Sequence, residues 1–342
     1  MRGYLCPACR TPVVSQGAAG QVAGWHCGAC GRTYPVLCGI PDFRLSPDAY
    51  LSLEDERAKA ARLHAFAQDH SFDETVAEYY RITGDVPPDM ALRFAAYVRA
   101  GVARGAGVLD RLGQSTGPLL DAGCGAGGLV VAAAMAGQQV TGLDIALRWL
   151  VIAQKRLAEA GLTAELVCAD IAAPPLPPAS FDRITATDLF EHLPDPPSGA
   201  LALRTLSRPG ARVFVTGANR FTLAPYPLAG LWGVGFLPAG LRRAYVTRRR
   251  GFDTLRHARL TSPTQLARLL RGAGFKGTRV RPLDVPAVRN GSSGSLQFYA
   301  ITVYKRLRNV PVARALMTLT GPAFEITCTA AAPPFPTPTR RD

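Results

Sequence analysis

Three groups of residues in this chain have types and spacings that suit chemistry. The first is "LLDAGCGAGG" (119–128), where Asp121 precedes Gly123, Gly125, Gly127 and Gly128. Glycines at this density let backbone N–H groups approach a ligand closely. Taken as G-x-G-x-x-G (Gly123, Gly125, Gly128), the loop suits a dinucleotide pyrophosphate. Taken as D-x-G-x-G-x-G (Asp121 to Gly127), it suits a nucleoside whose sulfonium carries a methyl group. Two more acids follow at predicted strand ends. Asp144 closes "TGLD", 23 residues after Asp121, and can accept hydrogen bonds from ribose hydroxyls in either ligand. Asp170 closes "CAD" and can accept from an adenine amino group. Asp121 tips the balance, because an acid beside the glycines repels a pyrophosphate and attracts an ammonium.

The second group is "TATDLFEHLPDP" (185–196). His192 titrates near neutrality and suits a general base for a hydroxyl or phenol acceptor. The competing reading has Glu191 and His192 bracing the loop. Asp188 is expected near the transferred group, either as a catalytic partner or as a contact to the cofactor. "DPPS" (195–198) is no amino-methylation signature, since it comes seven residues late and lacks the aromatic residue.

The third group is "CPAC" (Cys6, Cys9) and "CGAC" (Cys27, Cys30), with seventeen residues between. Two such knuckles supply four thiolates in a tetrahedron, a closed structural Zn2+ site with no position for water. A pair of disulfides is the rival, disfavoured in a reducing compartment. His26 is read as a bystander, and Cys38, Cys124, Cys168 and Cys328 as unpaired thiols.

These groups need a scaffold. From residue 118 onward strand-like and helix-like segments alternate, which predicts a doubly wound, mostly parallel seven-stranded Rossmann-like α/β sheet, preceded by a small β-rich ribbon. "LQFYAITVYKR" (296–306) is read as the last strand. Helix is predicted from Ser46 and Pro47 onward and again over 88–112. The predicted division is 1–45 ribbon, 46–112 helical cap, 113–310 catalytic domain with an insert at 221–260, and 311–342 extension with a disordered proline-rich tail.

Residues 118–216 resemble the class I S-adenosylmethionine-dependent methyltransferases, most closely the branch that includes quinone-biosynthesis methyltransferases. The pattern D-x-G-x-G-x-G, strand-end acid, A-D, F-D and E-H-L is matched in order. The resemblance implies that Asp121, Gly123, Gly125 and Gly127 line the methionine end. It places Asp144, with Ile145 beside it, at the ribose, Asp170 and Ile171 around adenine, and Thr187 and Asp188 near the sulfonium. Tyr80, in the helical region before the first strand, is a candidate to close over the cofactor. Residues 4–45 resemble the zinc-ribbon family that includes the small activator of tRNA methyltransferases, through "CGRTYPVLCGIPDF", with Cys38 where an acid is commoner.

Charge narrows the acceptor. The chain has 342 residues and a net charge of +14, and residues 221–342 carry nineteen basic against four acidic residues. The insert pairs an apolar half (Phe221, Tyr226, Trp232, Phe236) with a basic half (Arg242, Arg243, Arg248, Arg249, Arg250). A small-molecule, lipid-linked or glycan acceptor with an anionic group fits both halves. Base-reading RNA enzymes interleave aromatic and basic residues, so an rRNA or tRNA base methyltransferase stands second. The same charge suits peripheral contact with an anionic membrane. The intact acids argue against a non-catalytic binding module. No apolar leader and no convincing membrane span is read, so the expected setting is cytoplasmic. Oligomeric state is left open.

Overall fold

The computed structural model describes residues 3–17, 22–84, 86–113, 115–284 and 296–332. At the N-terminus four short antiparallel strands, β1 (Val14–Gln16), β2 (Gly24–His26), β3 (Thr33–Leu37) and β4 (Ile40–Pro41), pair in that order around the cysteines. Tyr4, Trp25, Tyr34 and Phe43 form an aromatic cluster, with Tyr4 and Trp25 edge-on at 4.9 Å. The ribbon does not stand apart. Phe43 N–H donates to the Cys168 carbonyl at 2.8 Å, Leu5 N–H to Pro175 at 2.7 Å, and the Tyr4 hydroxyl to Glu165 at 2.7 Å.

Four helices follow: α1 (Leu53–Asp69), α2 (Phe72–Arg81), α3 (Pro88–Arg99) and α4 (Gly101–Leu112). α1 starts later than Ser46 and Pro47 suggest. Asp48 turns the chain first, accepting from Tyr50 and Leu51 N–H groups at 2.8 Å, and Ser52 is the true cap. Such local side-chain bonds compete with helix. The single helix predicted over 88–112 breaks at Ala100, so that α4 can lie against the next helix. A Cβ on Gly105 would come within 2.6 Å of Leu129 Cα, which makes glycine obligatory at this crossing.

The large sheet contains β5 (Leu119–Ala122), β6 (Val140–Asp144), β7 (Glu165–Cys168), β8 (Phe181–Ala186), β9 (Ser207–Ala218), β10 (Phe275–Pro282) and β11 (Ala323–Ala330). Its order is β10-β11-β9-β8-β5-β6-β7. The five strands β5 to β9 run parallel; β11 is antiparallel to β9, and β10 to β11. Helices α5 (Gly128–Met135), α6 (Leu147–Glu159), α7 (Pro196–Leu206) and α9 (Pro263–Gly272) connect the strands, while α8 (Ala239–Arg250) lies in the insert. Leu119, Leu120, Ala122, Phe181, Ile184 and Ala186 are fully buried, the continuous apolar pattern of central parallel strands. Strand order reverses between β5 and β8, where α/β sheets open a crevice for ligands.

The last strand is a correction. "LQFYAITVYKR" lies within a helix, α10 (Leu296–Leu307), followed by α11 (Pro311–Thr320). The seventh strand comes instead from "AFEITCTA", beyond residue 310, inside the stretch read as an extension. Phe324, Ile326, Cys328 and Ala330 are buried at every second position, which is the period-two signal of a strand. A short apolar run such as 296–306 lacks that alternation, and periodicity alone cannot assign it. Most of the proline-rich tail lies outside the described residues.

Candidate active site

The crevice is built from the ends of β5, β6 and β8. Gly123, Gly125 and Gly127 all take left-handed backbone (φ 73°, 49° and 69°). Added Cβ atoms would meet Leu189 at 2.8 Å from Gly123 and Ala153 at 2.7 Å from Gly127, whereas Gly125 faces open space. The loop is laced to β6 by Asp144, whose carboxylate accepts from Gly125 N–H and Ala146 N–H, each at 2.8 Å. Each oxygen keeps a lone pair for further donors.

Asp121 is buried, and one oxygen accepts from the Thr185 hydroxyl at 2.8 Å. Burial, reinforced by the Asp144 charge, pushes its carboxyl up to about 7, with Thr185 pulling the other way. Asp144 is also raised, by burial. Two neighbouring acids that burial disfavours as anions would be relieved by a cation and by hydroxyl donors.

Asp170 accepts from Ala172 N–H at 2.8 Å in a tight turn, and Ile171 beside it is buried. The Ile145 carbonyl accepts from Arg44 at 3.2 Å. Arg44 is itself held by a buried two-pronged pair to Asp42, both contacts at 2.8 Å. The ribbon's last residues therefore brace the turn after β6.

At the end of β8, Thr187 is half-buried and Asp188 takes a left-handed backbone (φ 52°). Thr216 holds it, donating to its carboxylate at 2.8 Å and accepting its N–H at 3.0 Å. The Tyr97 hydroxyl, from α3, donates to the other carboxylate oxygen at 2.5 Å. His192 Nδ1 lies 3.0 Å from the Tyr50 hydroxyl, and Tyr50 packs edge-on against His257 at 4.9 Å. Burial holds the imidazole below its ordinary value, opposed by Asp188, so it is neutral at neutral pH. Glu191 is buried, pushed up to about 8 by burial and by Asp188, and its Oε2 has no hydrogen-bond partner among the described residues. Asp195 stands at the N-cap of α7, before Pro196.

The expected residues Asp121, Gly125 and Asp144 converge, as do Asp188 and His192 with their partners. Tyr80 packs edge-on to Tyr79 at 4.9 Å and 6.4 Å from Trp149 in α6. The tyrosines that bond the β8 loop are Tyr50 and Tyr97, which sequence reading missed along with Arg44. Only the tertiary fold brings them there. In the insert, Tyr226 is buried with Val234, Val246 and Leu255, while Phe221, Trp232 and Phe236 are exposed. Arg250 bonds the Ala229 and Gly230 carbonyls, at 2.7 and 3.1 Å, and so braces the insert itself.

The four cysteine sulfurs of Cys6, Cys9, Cys27 and Cys30 lie within 4.8 Å of one another. Cys6 and Cys30 are 3.6 Å apart, Cys9 and Cys27 3.4 Å. Each knuckle closes with a left-handed residue, Arg10 (φ 63°) and Gly31 (φ 71°). His26 stands outside the set, and the other four cysteines are free thiols elsewhere.

Residues 120–215 match the family model described as "Methyltransferase domain". The ubiquinone biosynthesis O-methyltransferase of Chromobacterium violaceum is 35% identical over 171 residues, covering 49% of this chain and 68% of that protein. The enzyme of the same name from Ralstonia nicotianae is 34% identical over 179 residues, covering 50% of this chain and 70% of its own. This chain thus spans about two thirds of these relatives. Among solved structures, a Haemonchus contortus phosphoethanolamine N-methyltransferase 2 in complex with S-adenosyl-L-methionine aligns with TM-score 0.46 at 17% identity, over 79% of this chain and 60% of that one. With the loop, the strand-end acids and the relatives in agreement, this chain belongs to the class I S-adenosylmethionine-dependent methyltransferases.

Proposed function

We propose that this methyltransferase acts on a hydroxyl of a small, lipid-linked aromatic acceptor. The observation that carries this reading is His192, neutral and oriented by Tyr50 beside Asp188 at the end of β8. The names of the relatives, ubiquinone biosynthesis O-methyltransferases, support the acceptor class.

Asp121 would pair with the methionine ammonium, and the loop of Gly123, Gly125 and Gly127 would line that end of the cofactor. Asp144 and Ile145 would hold the ribose, Asp170 and Ile171 the adenine, with Tyr80 closing the α6 side. Bound S-adenosylmethionine supplies an electrophilic methyl group that the acceptor oxygen takes. In the tautomer whose Nδ1–H faces the Tyr50 oxygen, 3.0 Å away, His192 would keep its Nε2 lone pair for the hydroxyl proton. Thr187 and Asp188 would border the methyl position, and Tyr97 fixes the Asp188 carboxylate. Alignment of this kind supplies much of the rate in displacement reactions.

Four thiols fit zinc by chemistry and spacing, since a Zn–S bond of about 2.3 Å gives S···S edges of roughly 3.8 Å. A cytoplasmic setting, where thiols stay reduced, suits such a centre. Cys27→Ser is expected to lose the metal, measured by elemental analysis. Because Arg44 touches Ile145, it should also weaken cofactor binding severalfold. Unchanged zinc content would exclude the assignment.

The RNA reading is weaker. Of the ribbon's described arginines, Arg10 and Arg44 bond carbonyls of the catalytic domain (Leu176 and Ile145), which leaves the exposed Arg32 as the one with no such bond among the described residues. Incubation with labelled S-adenosylmethionine and, in parallel, catechol lipids, glycans and total RNA tests the acceptor class. Label in RNA alone would overturn the proposal.

A further inference from the structure

Helix α11 is built the wrong way out for a soluble surface. Among its residues none is buried, and its exposed large apolar side chains are Val312 (81%), Leu316 (61%) and Leu319 (56%), at i, i+4 and i+7. That spacing puts them on one helix face, the face an amphipathic helix normally hides. The apolar surface continues beyond the helix. Leu223 (62% exposed) donates its N–H to the Thr320 carbonyl at 2.8 Å, joining the start of the insert to the end of α11. Phe221 packs 5.7 Å from Phe236, and Trp232 is 62% exposed on the same insert. Exposed apolar side chains lining one helix face, with more on the segment bonded to its end, are the mark of an interaction site.

Charge selects the partner. Residues 221–342 carry nineteen basic and four acidic residues. Every described acid there is already paired: Asp253 with Arg243, Asp284 with Arg111 and Arg308, Glu325 with Arg308. Arg248 and Arg249, exposed at the end of α8, make no ion pair among the described residues. A second copy of the chain would set this unopposed positive charge against itself, whereas an anionic surface would neutralise it. No described helix is long and apolar enough to cross a membrane. The match is to a surface that is apolar beneath and anionic above.

We propose that this face docks on an anionic lipid bilayer, with Val312, Leu316, Leu319, Leu223 and Trp232 at the acyl boundary and the arginines among the headgroups. A large apolar face with flanking cations lies in the interface in this way, held by buried apolar area and by attraction to anionic lipid. β9 ends at Ala218 beside β8, whose end at Ala186 leads into Asp188, and the insert that carries Leu223 and Trp232 follows from β9. The proposal does not depend on the acceptor's identity.

The test is sedimentation of the full chain with phosphatidylcholine vesicles with and without phosphatidylglycerol. Wild type is expected to bind the anionic vesicles at least tenfold more tightly than the neutral ones, less so in high salt. Val312→Asp, Leu316→Asp and Leu319→Asp combined should weaken that binding tenfold or more while S-adenosylmethionine affinity stays unchanged. If the triple variant fails to fold, wild type and Trp232→Phe with brominated lipids give the same reading: quenching of tryptophan fluorescence, reduced by the substitution. No sedimentation with anionic vesicles, no loss in the folded triple variant, or a solution dimer that the triple variant dissociates would overturn the proposal.

Discussion

The proposed cofactor side and the proposed acceptor side of the crevice are made by different means. On the cofactor side, Asp121, the glycine loop and Asp144 come from one β-loop-α-β unit, and their contacts are mostly with backbone. On the acceptor side, Asp188 and His192 depend on Tyr97 from α3 and Tyr50 from the segment before α1, with His257 from the end of the insert. One side is mostly local in sequence, with Thr185 reaching Asp121 from β8; the other is assembled from parts far apart in sequence. Substitutions on the first side should act on cofactor affinity, and those on the second on turnover and acceptor use.

The largest effect on the cofactor side belongs to Asp144. Asp144→Ala leaves the Gly125 and Ala146 N–H groups without their acceptor, a cost of about 1–3 kcal/mol. Calorimetry should show S-adenosylmethionine binding roughly tenfold to hundredfold weaker, and equal affinities would break the comparison at its firmest point.

Asp121 gives a pH signature of similar size. Its native carboxyl sits at about 7, above an unfolded value of about 3.9, so the folded state holds the proton more tightly. Stability from this group is present at low pH and is lost as pH rises through about 7. A bound ammonium favours the ionised form, so cofactor affinity should weaken by up to tenfold per pH unit below about 7. Asp121→Asn should flatten both profiles; titrations at several pH values that show no slope in wild type would contradict the pairing.

The smallest effect tests the acceptor side. Tyr50→Phe removes one hydrogen bond, worth about 0.5–1.5 kcal/mol. It should lower kcat a few-fold and shift the acidic limb of the pH–rate profile, with S-adenosylmethionine affinity unchanged. A loss of cofactor affinity in place of the kinetic change would erase the distinction between the two sides.

The same contrast explains what could be read from the sequence. The glycines and strand-end acids follow local rules: left-handed backbone needs glycine, and a carboxylate ending β6 finds amides of the loop beside it. The cysteine knuckles are equally local, down to Gly31. Tyr50 and Tyr97 carry no such mark, because nothing near either residue states that it will meet His192 or Asp188. The insert's aromatic half divides for a related reason: Tyr226 serves a small core while Phe221, Trp232 and Phe236 are exposed. The seventh strand is less legible: "LQFYAITVYKR" is rich in β-branched and aromatic residues yet lies in α10, while "AFEITCTA" buries Phe324, Ile326, Cys328 and Ala330 with the sheet's period.

The most direct measurement is transfer of labelled methyl from S-adenosylmethionine to a catechol lipid by wild type and His192→Gln. Removing a positioned general base costs about 10²–10⁴ in rate, so kcat should fall by that range while cofactor affinity holds. Wild-type turnover in the variant, or label passing to RNA and not to the lipid, would contradict the account.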